Sequence, residues 1–387
     1  MRRTHNLAAL GLAAVMAAAG TFPAVAGSPE FAYTEEKWAS LRDNILEYDE
    51  IPDLVHEYNP TVLNNQSTYE QNRQGDQSRS SGDIAASYRQ SAENLYDQIA
   101  ALDPDSLTYD SMVVSLEQQA KALEAQAASA ETGNFGQQQQ NKQAEATIVA
   151  AAKTNMITYH QNLLNLELYQ KNLELLKEQY GATQRRAEVG MATQMDVLSA
   201  KSSIETMEMN ILNTEKDIRT AKQNLCLATG WDYNANPEIR SLPQVDLNEI
   251  AAIDLEADKE SAVTNNYTLS VNRAQYSSTT VPKTKETLEE TIANNESQIR
   301  SSVTSNYQAL IQARSDYEQA QAELELQQKK TDTAALELSI GQLSQLEYKA
   351  EEYALENCRT AVQLKEMALL QSLETYKDSV NGLAAAS

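Results

Sequence analysis

The residues able to do metal, thiol or acid–base chemistry are few and far apart in this chain. Three histidines (His5, His56 and His160) and two cysteines (Cys226 and Cys358) are spread over 387 residues. A metal site needs ligands converging at short, regular spacings, and neither HExxH nor CxxC occurs. No GxGxxG, P-loop or GxSxG cradles a phosphate or presents a nucleophile. The expectation is therefore a non-enzyme with no catalytic, cofactor-binding or metal-binding residues. Two carboxylates do stand in matched settings. Asp196 follows Thr193 by three residues, and Glu347 follows Ser344 by three. At that spacing a carboxylate accepts from the cap residue's backbone N–H while the cap hydroxyl accepts in return, closing a capping box. A negative charge there also complements the helix dipole.

The elements that carry these acids form an internal repeat. Gly190 and Gly341 align at an offset of 151 residues, and Val189-Gly190-Met191-Ala192-Thr193 falls on Ile340-Gly341-Gln342-Leu343-Ser344. Asn155, Glu167, Gln170, Glu174 and Leu175 meet identical residues at Asn306, Glu318, Gln321, Glu325 and Leu326. Apolar residues keep a seven-residue rhythm in the same register. Tyr159, Leu166 and Leu173 correspond to Leu310, Tyr317 and Leu324. Beyond the turn, Ile204, Ile211, Ile218 and Leu225 correspond to Leu355, Val362, Leu369 and Tyr376. This is a coiled-coil seam. Each copy is read as a helix, a tight turn with glycine in the left-handed conformation, and a returning helix.

The expected fold class is all-α: two repeats of a long antiparallel coiled-coil hairpin. The first long helix is expected over 143–189, about 70 Å at helical rise. Its return is expected from Thr193 to about Ala228, roughly 50 Å. One hairpin cannot bury all its Leu, Ile and Tyr side chains, which implies neighbouring hairpins or subunits. Residues 27–79 read as irregular and helical, 80–232 as the first repeat, 233–253 as a linker and 254–387 as the second repeat. Short helix from Thr34 towards Asn44, interruptions at Pro52 and Pro60, and a break near Asp103–Ser106 complete the first part. Thr132-Gly133-Asn134-Phe135-Gly136, followed by four glutamines, reads as a loop or a frayed low-complexity joint. One helix is expected from Asp254 to Ala274, a break over Thr279–Pro282, and a long helix from Lys283 towards Ile340. Tyr159, Tyr169, Tyr180, Tyr307 and Tyr317 are read as packing residues with hydroxyls at a wet edge. Aligned hairpins would hold Cys226 and Cys358 about 28 Å apart, so both are expected as free, buried thiols.

The first 26 residues read as a signal peptide: Arg2 and Arg3, an apolar run Leu7–Ala19, and a small-x-small cleavage site at Ala24-Val25-Ala26. No other stretch is apolar enough for a membrane helix, in line with a mean hydropathy of −0.53. The net charge of −24 argues against nucleic acid as a partner.

Two such hairpins behind a signal peptide, with V-G-x-x-T-x-x-D-V-L at Val189–Leu198, resemble the TolC family of outer-membrane efflux proteins. Ile340-Gly341 with Ser344 and Glu347 repeats that motif loosely, and Leu225–Trp231 supplies the L-x-x-x-x-G-W that closes the first repeat. The resemblance implies a homotrimer whose hairpins form a hollow helical barrel. It also implies a periplasmic adaptor (membrane fusion) protein and an inner-membrane or ABC-type pump, with cargo leaving through the tunnel. Val189–Thr193 and Ile340–Ser344 become adaptor-contact tips, and Asp196 and Glu347 become helix caps or gate acids at the tunnel mouth. The resemblance places the protein in the cell envelope.

One departure matters. Family members with a membrane anchor insert two β-strands into each repeat, and such strands alternate over about 9–11 residues. The corresponding stretches, 132–141 and 276–295, are Gly/Gln-rich in one case and charged and helical in the other. The expectation is a TolC-like α-barrel protomer with little or no β-barrel. Such a tunnel suits an envelope without a conventional outer membrane. The rival reading is a secreted coiled-coil spacer or adhesin that keeps the fold without transport.

Overall fold

The computed structural model describes residues 33–75, 81–102, 109–279 and 282–386. The signal-like segment and the expected break at Asp103–Ser106 lie outside these residues.

Four helices dominate. Helix α5 runs from Tyr109 to Glu188 and α6 returns from Gln194 to Ala228. Helix α10 runs from Pro282 to Ser339 and α11 returns from Gln345 to Asp378. Each pair is an antiparallel hairpin, and α5 also packs on α11, so the order across the assembly is α6–α5–α11–α10. The seam residues explain the pairing. Leu225, Leu310, Leu355, Leu369 and Tyr376 are buried, and the other heptad positions are half-buried. The five seam tyrosines are likewise half-buried.

The first repeat departs from expectation. Helix α5 is 80 residues long and passes without interruption through Thr132–Gly136 and the glutamines, where a loop was expected. Glycine costs a helix only about 1 kcal/mol relative to alanine, and glutamine is a good helix former. Packing offsets that cost: Thr132 and Gly136 are buried, and a Cβ on Gly136 would lie 3.7 Å from Val271 Cγ1. The helix begins at Tyr109 rather than near 143, about 120 Å from its far end.

The upstream chain lies along α5. Helix α1 spans Glu35–Leu41, followed by strand β1 at Ile45–Leu46, a 3-10 turn, α2 (Ile51–Tyr58), α3 (Pro60–Gly75) and α4 (Ser81–Ala100). Pro52 and Pro60 begin helices rather than merely interrupting the chain, because a first-turn residue needs no N–H partner. Strand β1 pairs in parallel with β2, Glu238–Ile239, a contact not foreseen in the linker. Short α7 (Leu247–Ala251), α8 (Leu255–Asn265) and α9 (Tyr267–Ser278) lead to α10. The single helix expected over Asp254–Ala274 is split at Asn266, whose side chain accepts from Leu269 N and caps α9.

Two apolar clusters form a joint above the hairpins. One joins Leu46, Ile51, Leu54 and Val55 to Met156, Ile157, Leu225 and Leu370. The other joins Ile250, Val263 and Leu269 to Ile299, Val303, Leu310, Leu369 and Tyr376. At the first, Asn59 caps α3 through Val62 N and donates Nδ2 to Ala228 O at 2.8 Å. At the second, Asn266 caps α9 and donates to Ala384 O at 2.9 Å. The two joints thus use one device. Its sequence trace, Asn59-Pro60-Thr61-Val62 against Asn266-Tyr267-Thr268-Leu269, escapes a search at offset 151 because it stands at offset 207.

The cysteines are unbridged. Cys226 is buried at the joint, whereas Cys358 is only half-buried, contrary to expectation, because α11 leaves that face partly open.

Candidate functional site: hairpin tips and open helix edges

The two tips are built alike. Helix α5 ends in a Schellman arrangement, with Met191 N donating to Arg186 O at 2.7 Å and Gly190 N to Ala187 O at 3.0 Å. Gln342 N donates to Glu337 O at 2.9 Å and Gly341 N to Leu338 O at 3.1 Å in the second tip. The glycines adopt φ of 77° and 74°, the left-handed region. A Cβ on either would meet nothing within 4 Å, so conformation and not space selects glycine here.

Each return helix then opens with the reciprocal cap that the spacing implies. Thr193 N donates to Asp196 Oδ2 at 2.8 Å, and Asp196 N donates to Thr193 Oγ1 at 3.1 Å. Ser344 N donates to Glu347 Oε2 at 2.9 Å, and Glu347 N donates to Ser344 Oγ at 3.3 Å. The Thr193 backbone N–H and hydroxyl hold the Asp196 carboxyl below its usual range. The Ser344 hydroxyl and N–H do the same for Glu347. Both acids are solvent-exposed and ionised, as caps.

Around these polar turns the tips expose large apolar side chains. Val189, Met191 and Met195 are each at least 70% exposed, and Leu336 and Ile340 exceed 65%. Ala192 and Leu343 are half-buried, and Gln342 is exposed. The exposure continues up the two outer helices. Helix α6 presents Leu198, Met209 and Leu212, and α10 presents Leu326 and Ile311. These are the helices that lack a second long neighbour among the described residues. The palisade therefore has two unlike open edges, each carrying apolar side chains.

The two described histidines do structural work. His56 Nδ1 lies 2.8 Å from Glu145 Oε1, tying α2 to α5, and that hydrogen bond raises its pKa. His160 meets Arg240 O at 2.8 Å, and burial lowers its pKa. Among the described residues no group of three His, Cys, Asp or Glu is placed to hold a metal ion. No described helix is long and apolar enough to cross a membrane.

No known family's sequence profile matches the chain, and no curated protein matches it. Solved structures do match its fold. The Campylobacter jejuni CmeC outer membrane channel is 13% identical with a TM-score of 0.51, covering 93% of this chain and 92% of that one. A membrane protein from Pseudomonas aeruginosa is 12% identical with a TM-score of 0.52, covering 84% and 93%. CusC, from a study of folding and transmembrane channel formation, is 10% identical with a TM-score of 0.53, covering 91% and 96%. At such identities the likeness is one of fold. The chain has the fold of a TolC-like helical channel protomer, and its described residues hold no strands beyond the two-residue pair β1–β2.

Proposed function

Because the protomer has a TolC-like fold, we propose that it is the conduit subunit of an envelope efflux or export system. The observation that carries this reading is the palisade with two unlike apolar edges. An α6 edge of one copy against an α10 edge of the next is a heterologous contact, and such contacts close into rings when the rotation allows. Resemblance to the TolC family supports a ring of three copies, with the tunnel as the path of the cargo. Burying each large apolar side chain on these edges contributes roughly 1.5–3 kcal/mol.

The tips, Val189–Thr193 and Ile340–Ser344, are the contact for a periplasmic-adaptor-like protein coupled to a pump. Their exposed apolar residues, set on rigid capped turns, suit docking at little ordering cost. The likeness of fold to outer membrane channels supports a location in the cell envelope, at the outer membrane or on the cell-wall side.

Met195 and Leu336 test the ring. Met195 lies five residues past Gly190 and Leu336 five before Gly341, so the two stand level on opposite edges. In a Cys226→Ser/Cys358→Ser background, Met195→Cys with Leu336→Cys is expected to cross-link between chains through a short bis-maleimide. Cross-links found only within one chain would refute the ring. Gly190→Arg separates conduit from spacer: export is lost and helix content kept in the first case, whereas a spacer keeps its function.

A further inference from the structure

The chain already contains one contact between neighbouring hairpins, that of α5 with α11, and three ion pairs fix its register. Lys153 meets Glu374, Lys171 meets Glu356, and Glu178 meets Lys349. In each pair the two residue numbers add to 527, so one antiparallel register holds along the whole contact. The α11 residues on this side follow alternating steps of three and four, the spacing of a seam. The stripe runs from Leu346 through Lys349, Glu356 and Leu370 to Glu374, and eight of its nine positions are buried or half-buried.

Moved back by the repeat offset of 151, the stripe falls on α6 from Met195 to Gln223, and all nine of its positions are exposed. Met195, Leu198, Met209 and Leu212 are four of them, each at least 60% exposed. The contrast is sharpest at Met209, 60% exposed, whose counterpart Thr360 is 6% exposed. The matching α5 stripe, moved forward by 151, falls on α10 from Thr304 to Asp332. It is exposed at every position but Thr304, and Ile311, Ser315 and Ala322 lie on it. The palisade therefore ends, on its two edges, in the two halves of a contact that it makes once within itself.

We propose that neighbouring copies repeat that internal contact, α6 of one copy pairing with α10 of the next in the same antiparallel register, residue numbers adding to 527. The inference rests on the ring proposed above and specifies its seam. Leu212 then faces Ser315, Glu205 faces Ala322, and Leu198 faces Lys329. None of the three internal ion pairs recurs: their counterparts are Thr304 with Gln223, Ala322 with Glu205, and Lys329 with Leu198. The seam between copies relies instead on Met195, Leu198, Met209 and Leu212, with the aliphatic stem of Lys329 lying over Leu198. The same register selects α6 as the occupant. A neighbour's α11 in its place would set Lys349 against Lys329, a like-charge pair, and α11 is already covered by its own α5. Met195 and Leu336 come to lie about one helical turn apart, within the span of a bis-maleimide but not of a disulfide.

Direct disulfides read the register, because they need Cβ atoms within about 4.5 Å, whereas a slip of one heptad displaces partners by about 10 Å. The test uses residues 27–387 with Cys226→Ser and Cys358→Ser. Three variants combine Ser315→Cys with Leu212→Cys, Glu205→Cys or Arg219→Cys, the last two being one heptad out of register in opposite directions. Light scattering before oxidation establishes that each assembles, and circular dichroism that its helices persist. The Leu212→Cys variant is expected to oxidise between chains roughly tenfold faster or more than either slipped variant, closing three chains into one covalent unit on a denaturing gel. Ala322→Cys with Glu205→Cys repeats the reading at a second level, where no apolar side chain of the seam is lost. Three-chain assemblies that oxidise fastest in a slipped variant, or in neither in-register variant, would overturn the register while the ring stands. A single-chain mass for every variant would overturn both.

Discussion

Lys171 on α5 reaches Glu356 on α11, Nζ to Oε1, at 2.5 Å, and this contact is one rung of a ladder. Eighteen residues back on α5, Lys153 meets Glu374 at 2.5 Å, eighteen residues on along α11. Seven residues forward, Glu178 meets Lys349, seven residues back. The three rungs share one antiparallel register, so the contact between repeats is set by charge as well as by apolar packing. The hydrogen bonds to Glu167 and Glu356 raise the Lys171 pKa, and Lys171 lowers that of Glu356.

Reversal of one rung tests this register. Lys171→Glu should lower the thermal midpoint, and adding Glu356→Lys should recover part of the loss, the rest reflecting the new like charges facing Glu167 and Arg359. The pair is partly exposed, so the coupling should be about 1 kcal/mol or less. A double-mutant cycle by thermal unfolding measures it, and absence of any recovery would show that the ladder does not set the register.

Gly230 and Gly341 should respond differently to alanine. Both hold positive φ, at 81° and 74°. At Gly341 the cost is the left-handed conformation alone, about 1–2 kcal/mol. At Gly230 a Cβ would sit 2.3 Å from Tyr58 Cβ and 2.4 Å from Tyr58 O, so the joint must shift as well. Gly230→Ala should therefore lose markedly more stability in chemical denaturation than Gly341→Ala. Equal losses would contradict the close approach at the joint.

Much of this was legible in the sequence, because turn chemistry and heptad phase are local. Gly190, Thr193 and Asp196 specify their turn without help from the rest of the chain, and so do Gly341, Ser344 and Glu347. What escaped was decided by distant contacts. Gly133 and Gly136 read as a loop, yet packing of α5 beside Val271 carries the helix through them. The β1–β2 pair joins residues 193 apart and is only two residues long, too short for alternation to register. Likewise, the open edges at Met209 and Leu326 look like any heptad residue until the neighbouring helices are known to be elsewhere.

Asp378 makes the joint sensitive to pH. Burial pushes its carboxyl up to about 6, with Glu374 adding to the rise and Lys153 opposing it. A raised carboxyl binds its proton more tightly in the folded than in the unfolded chain, where it titrates near 3.9. Its ionisation therefore costs stability progressively from about pH 4 to about pH 6, and the full cost remains above that window. Asp378→Asn should raise the thermal midpoint at pH 8, with the gain fading towards pH 4. A gain independent of pH, or a loss at pH 8, would contradict this. The buried Tyr48 phenol, raised by burial and by Glu374, and Tyr267 share this neighbourhood and remain neutral throughout.

The central claim is that the open α6 and α10 edges close a ring. Light scattering of residues 27–387 in detergent-free buffer measures that most directly. The account predicts the mass of three chains, reduced to one chain by Leu212→Asp together with Leu326→Asp while helix content persists. A single-chain mass for the unmutated protein, with both edges intact, would contradict it.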